Sequence, residues 1–254
     1  MKKLFSLAVV GLLAASCSKS YYQVYTTKPQ GGSIKDNQVV FENNHLRTSY
    51  SLWGLGGNVG FTAQNISNDE VTILVDQSFY VENGWTYDYY ENSTTTTHTK
   101  MVVEEDQNSS VNNFLFKSSS KKKSTAHTNI EKTAHERPSE KIPAGAKRYY
   151  GKFSVASGFY KSCDMAKYPT KRSVNELKFD EESSPYTFYN YITYLYKGDT
   201  MTMVNKFHVT SIKNVKQKDA VETKSNPDCD AGLVSMVTVM VDASPEKFYI
   251  QYSK

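Results

Sequence analysis

Side-chain alternation predicts an all-β protein: an antiparallel β-sandwich of immunoglobulin-like architecture carrying a long low-complexity insertion. Three observations support this. Val71, Ile73, Val75, Phe79 and Val81 share one parity, while Thr72, Asp76, Ser78 and Glu82 share the other, the period of a strand with one buried face. Asn83-Gly84, a pair that tolerates positive φ, is followed by a return alternation of Trp85, Tyr87 and Tyr89. Tyr (19) and Phe (12) are abundant against 13 Gly and 7 Pro, a balance that favours sheet over helix. With Val59, Phe61 and Ala63 upstream, residues 59–90 read as a three-stranded meander, whose apolar face requires a second sheet to pack on.

In chain order, Met1-Lys2-Lys3 is a cationic start. Leu4 to Ala15 is an apolar stretch too short to span a bilayer and built like a secretory signal. It ends in Leu13-Ala14-Ala15-Ser16-Cys17, small residues directly before a cysteine. That run resembles the lipobox of bacterial lipoproteins, although the family prefers Leu where Ala14 stands. The resemblance implies that residues 1–16 are a signal peptide and that Cys17 becomes the lipidated N-terminus, diacylated on sulfur and acylated again on its amine. The alternative is an ordinary signal peptide with a free cysteine. Several acyl chains, at roughly 0.8 kcal/mol per buried CH₂, hold a protein firmly on a membrane. Ser18-Lys19-Ser20 has neither the acidic pair that resembles inner-membrane retention nor the acidic cluster that resembles surface export. The expected address is therefore the cell envelope, lipid-anchored in the outer membrane, with the periplasmic side favoured over the surface.

Residues 17–36 read as the lipidated N-terminus and a tether, with Tyr21 to Tyr25 as an edge strand ended by Pro29-Gln30-Gly31-Gly32. Residues 37–254 read as one sandwich domain. Val39-Val40-Phe41 and Arg47 to Trp53 are its first strands. Gly54, Gly56 and Gly57 make a turn rather than a phosphate loop, because no helix pattern and no Lys-Ser/Thr pair follows.

Residues 92–136 change character. Thr94 to Thr97, Asn108-Ser109-Ser110 and Ser118 to Lys123 are polar and repetitive, and such a segment buries too little apolar surface to offset the entropy of ordering it. It reads as a mobile insertion, with Phe114-Leu115-Phe116 as an apolar island and Lys121-Lys122-Lys123 as a solvated tip. Ile142-Pro143-Ala144-Gly145 is similar to turns that change sheets in immunoglobulin-like sandwiches. Phe188, Ile192, Tyr194 and Tyr196 alternate in an aromatic strand, and Lys197-Gly198-Asp199 turns it into Met201 to Ile212. Leu233 to Val241 is a nearly continuous apolar run, expected of a central strand buried on both faces. Phe248, Ile250 and Tyr252 close the series, for nine to eleven strands in all.

The net charge of +4 falls to about +2 once residues 1–16 are removed, which gives no electrostatic case for nucleic acid. Cys163 and Cys229, an even pair in an exported chain, are candidates for a disulfide. The five histidines are scattered. His135-Glu136 lacks a second histidine at zinc-protease spacing, and Pro138 disfavours the helix that spacing needs. No motif indicates a metal or other cofactor, and no spacing of nucleophile, base or paired carboxylates picks out an enzyme. Trp85, Tyr87, Tyr89 and Tyr90 form a candidate ligand platform, and Tyr186, Tyr189, Tyr191, Tyr194 and Tyr196 a second aromatic stripe, with core packing of the same rings as the alternative. Asp199-Thr200-Met201 resembles a bacterial O-glycosylation sequon, which makes Thr200 a candidate for modification.

Several segments carry a wider likeness. They are Tyr22-Gln23-Val24-Tyr25, Ser49 to Trp53 with Gly56 to Phe61, Ser78-Phe79 with Asn83-Gly84 and Tyr87 to Tyr90, Cys163-Asp164 with Tyr168 to Lys171, Ser184-Pro185, and Ser244 to Ile250. Together they resemble a family of uncharacterised exported lipoproteins of Gram-negative, gut-commensal-type bacteria, over nearly the whole mature chain except 93–135. The resemblance implies an address and brings no activity, ligand or catalytic residue. The expected function is that of a membrane-anchored, non-enzymatic binding or structural accessory module with an envelope protein or glycan as partner. A carbohydrate-binding lipoprotein is the first alternative and an envelope hydrolase the second.

Overall fold

The computed structural model describes residues 19–92, 94–113, 116–227 and 234–254, with backbone alone over 94–113, 116–135, 226–227 and 234–235. The strands in chain order are β1 (Ser20–Gln30), β2 (Ser33–Lys35), β3 (Gln38–Glu42), β4 (Leu46–Tyr50), β5 (Phe61–Asn65), β6 (Val71–Leu74), β7 (Phe79–Glu82), β8 (Trp85–Asp88), β9 (Thr94–Asn113) and β10 (Phe116–His135). They continue with β11 (Ser139–Ile142), β12 (Lys147–Tyr150), β13 (Glu176–Lys178), β14 (Thr187–Tyr196), β15 (Asp199–Lys216), β16 (Val221–Pro227), β17 (Val234–Met240) and β18 (Lys247–Ser253). A 3-10 turn at Val75–Gln77 separates β6 from β7, and a one-turn helix α1 (Gln217–Ala220) follows β15.

A large antiparallel sheet runs β11-β6-β14-β15-β1-β18, with β7 and β8 continuing beside β14 and β13 on β15. It faces a five-stranded sheet ordered β12-β5-β4-β3-β2. The two make an all-β sandwich. Its core comes from strand alternation: Phe188, Ile192 and Tyr194 of β14 and Phe207 and Val209 of β15 meet Phe41, Leu46, Tyr50 and Phe61 of the smaller sheet. Phe188 and Phe207 stack at 5.1 Å between ring centres, and Phe207 meets Tyr50 edge-on at 5.2 Å. Such ring pairs add about 0.5–1.5 kcal/mol each beyond the area they bury.

The chain crosses between these two sheets four times, after β1, β5, β11 and β12, and one buried asparagine ties two of the corners together. Asn65 donates to the carbonyls of Asp69 and Ile142 at 2.7 and 2.9 Å, tying the β5–β6 crossing to the β11–β12 crossing. The second of these two corners is Ile142-Pro143-Ala144-Gly145, with Gly145 at φ +74°, so this turn does change sheets as its sequence implied. Gly57, at φ +79°, lies so close to the Phe248 ring that an added Cβ would meet it at 2.8 Å.

Several expectations are corrected. Residues 59–90 are not one meander, because β5 belongs to the smaller sheet and β6–β8 to the larger. The 3-10 turn also flips the inward parity: Val71 and Ile73 face the core before it, Tyr80 and Glu82 after it, since the latter pair with inward-facing Asn190 and Phe188. Tyr21 to Tyr25 is not an edge strand. β1 lies between β15 and β18, buried on both faces, so the expected tether over 17–36 contains a central strand of the sheet. Residues 94–113 and 116–135 form a continuous antiparallel ladder that sets Lys121–Lys123 opposite Asp106–Asn108; Phe114 and Leu115 lie outside the described residues. Leu233 lies outside the described residues, and Val234 to Val241 is not a central strand. β17 pairs only with the polar β16, and Met236 and Val241 are exposed. The strand count exceeds the expected one because the short edge strands and the polar strands β9, β10 and β16 lack a strong apolar signal.

Candidate functional site

Trp85 and Tyr87 stand on β8, which among the described residues pairs only with β7 and whose four residues are all exposed. The hairpin that presents them is the one its sequence predicts: Asn83 and Gly84 take φ +48° and +84°, and Glu82 pairs with Trp85 across a two-residue turn. The turn is docked on β14. Asn83 N donates to Thr187 O at 2.8 Å, Thr187 N donates to Asn83 Oδ1 at 2.9 Å, and Asn83 Nδ2 donates to Pro185 O at 3.1 Å.

Two residues apart on one strand, Trp85 and Tyr87 share a face, about 7 Å from one another. The Tyr87 ring leans on Tyr80 and Phe153, with centres 5.9 Å away in each case, while the Trp85 indole projects beyond them and keeps 74% of its surface exposed. Glu82, opposite Trp85, points to the same side and is half-buried; burial holds its carboxyl above the usual carboxylate range. An exposed indole beside a partly desolvated carboxyl can stack on an apolar ring face and accept a hydroxyl. Glu82 sat on the wet parity of the sequence pattern, and only the 3-10 turn brings it to this side.

The other sequence candidates part company here. Tyr89 is buried, and its hydroxyl donates to Asn190 Oδ1 at 2.6 Å, so this ring serves the core rather than an exposed platform. Tyr90 is half-buried and donates to Asn92 Oδ1 at 3.0 Å. Thr200 is exposed at the start of β15, beside the Lys197-Gly198 turn. Cys163 is exposed with a free thiol; its expected partner Cys229 lies outside the described residues, as does Cys17.

No group of three His, Cys, Asp or Glu side chains placed to hold a metal occurs among the described residues. A cavity of about 320 Å³ is lined by Glu136 and Glu140, a carboxylate pair of the kind a hydrolase needs. Both are engaged: Glu140 pairs with Arg148 at 2.7 Å, and Glu136 accepts the Glu91 N–H at 2.7 Å. No helix among the described residues is long and apolar enough to cross a membrane. No family model, curated protein or solved structure matches the chain.

Proposed function

We propose that the protein is a lipid-anchored envelope module that acts by binding, held to the outer membrane through Cys17, with an envelope protein or glycan as its partner. The observation that carries this reading is the N-terminal run Lys2-Lys3, Leu4–Ala15 and Leu13-Ala14-Ala15-Ser16-Cys17. The fold supports it, since the sandwich begins at Ser20, three residues after Cys17. Fractionation of cells tests it. Wild type is expected in the membrane fraction, and Cys17→Ala in the soluble or precursor fraction without acyl label; a Cys17→Ala protein that keeps its label would overturn the reading.

A second reading is favoured by the β8 edge: carbohydrate recognition, with Trp85 and Tyr87 stacking on sugar rings and Glu82 accepting a hydroxyl. Trp85→Ala removes a side chain that is already mostly exposed, so thermal stability should hold within about 0.5 kcal/mol. Retention on an immobilised glycan should fall at least about fivefold, since stacking on an aromatic ring contributes of the order of 1 kcal/mol or more. Equal retention of both proteins removes this reading and leaves the first standing.

A further inference from the structure

The end of the large sheet where the chain enters is a basic face with a tyrosine floor. Ser20 pairs with Ser253 and Tyr21 with Lys216, which gathers Lys19, Lys216 and Lys254 at one sheet end, and α1 adds Lys218. These four lysines line one open cavity of about 660 Å³ whose floor includes Tyr21 and Tyr168. An adjoining cavity of about 360 Å³ shares Lys216 and Lys218 and adds Lys171 and Lys213. Asp219 is the one side-chain carboxylate lining either. Several lysines elsewhere find acids: Lys141 pairs with Glu70, Lys152 with Glu91 and Lys247 with Asp242. None of Lys19, Lys216, Lys218 and Lys254 makes such a pair among the described residues. Instead, the Lys254 and Lys167 ammonium groups sit 5.3 and 5.2 Å from the centre of the Tyr168 ring, which also packs on Tyr21 at 5.2 Å. Like charges gathered with so few counter-charges repel unless an anionic surface meets them.

The geometry points to this face as the seat of the protein on an anionic phospholipid surface. Lys19, Lys216, Lys218 and Lys254 meet lipid phosphates, and Tyr21 and Tyr168 lie at headgroup level, where amphipathic rings settle. The inference rests on acylation of Cys17. Lys19 is two positions from Cys17, a reach of about 7 Å when extended, comparable with the roughly 5–7 Å depth of one headgroup layer. A lysine that close lies within one Debye length of the surface, about 8 Å at physiological salt. Each such lysine strengthens attachment about fivefold. The short reach therefore selects a lipid surface over a free anion, which the same ammonium groups would also attract.

The test uses the full chain, matured and acylated in a Gram-negative host and reconstituted in phosphatidylethanolamine vesicles with or without about one-quarter phosphatidylglycerol. Lysines are acetylated from the aqueous side and read by mass spectrometry. Lys19, Lys216, Lys218 and Lys254 are expected to be protected at least about threefold more on the anionic vesicles, with the difference lost at about 0.5 M salt. Lys35 and Lys206, away from this sheet end, should label equally on both. Lys216→Glu/Lys218→Glu should remain acylated, folded and vesicle-bound while losing the difference. Equal labelling of the four lysines on both vesicles, or the same protection from inorganic phosphate in detergent, would overturn the inference. If the N-terminal peptide carries no acyl group, the anchoring reading fails by itself. Cosedimentation of the unacylated chain with anionic vesicles then decides this face: binding lost in the double variant supports it, and no binding overturns it.

Discussion

At the scale of single residues, a polar latch in the core joins the two sheets. Asn190 and Asn205 face one another across β14 and β15, and both donate to the Tyr50 hydroxyl of β4, at 3.3 and 2.7 Å. Asn205 also donates to Thr48 Oγ1 at 2.8 Å, Asn190 donates to Val59 O at 3.1 Å, and Tyr89 donates to Asn190. A buried donor left without its acceptor costs about 1–3 kcal/mol, so the latch disfavours any sliding of one sheet over the other. Burial raises the Tyr50 and Tyr89 phenols well above their ordinary value of 10.0. Because the folded value lies above the unfolded one, this contribution is complete below about pH 10 and is lost as pH rises from there through the folded values. Denaturant stability is therefore expected to be unaffected by these groups below about pH 10 and to fall steeply above it, with the latch phenols ionising only as the protein unfolds. Reversible ionisation of every tyrosine near pH 10 in an intact fold would contradict this. The abundance of tyrosine was plain in the sequence. Which hydroxyls are sealed in was not, because Tyr87 and Tyr89 share a parity and have opposite fates.

At the scale of elements, turns and alternating strands were legible and irregularities were not. Asn83-Gly84 and Lys197-Gly198 announced their hairpins because few residue pairs tolerate two positive φ angles in succession. Phe188, Ile192 and Tyr194, and Phe248 and Ile250, announced buried faces by their period. The interruption at Val75–Gln77 gave only a faint signal, the single polar Gln77 on the apolar parity, yet it decides that Glu82 faces the Trp85 side. Ser78 makes that interruption possible. Its hydroxyl donates to Leu74 O at 2.7 Å and accepts the buried Thr193 N–H at 3.0 Å, a ladder bond that no backbone group supplies. Ser78→Ala should lower stability by about 1–3 kcal/mol in urea titration, while a loss below about 0.5 kcal/mol would show that the hydroxyl is dispensable. The β17 run misled for a related reason. An apolar run predicts burial but supplies no partner, and among the described residues this strand pairs with β16 alone, which leaves Met236 and Val237 exposed.

At the scale of the whole molecule, the central place of β1 sets the geometry. It brings Lys19, Lys216 and Lys254 to one end of the large sheet, although these residues are scattered along the chain, and no sequence pattern reveals such a gathering. The candidate aromatic edge lies well away from that end. Glu82 pairs with Phe188 and Phe188 with Phe207, so the β8 hairpin stands nine residues along β15 from Lys216, roughly 30 Å. A protein anchored at its basic end would hold Trp85 and Tyr87 clear of the lipid, where a glycan or protein can reach them. The proposed address rests on sequence alone, on the run that ends at Cys17. The measurement that tests the account most directly is the mass of the N-terminal peptide of the mature protein purified from its membrane. The account expects a peptide that begins at Cys17 and carries acyl chains on both its sulfur and its amine. A peptide that begins elsewhere, or a Cys17 with an unmodified thiol, would contradict it.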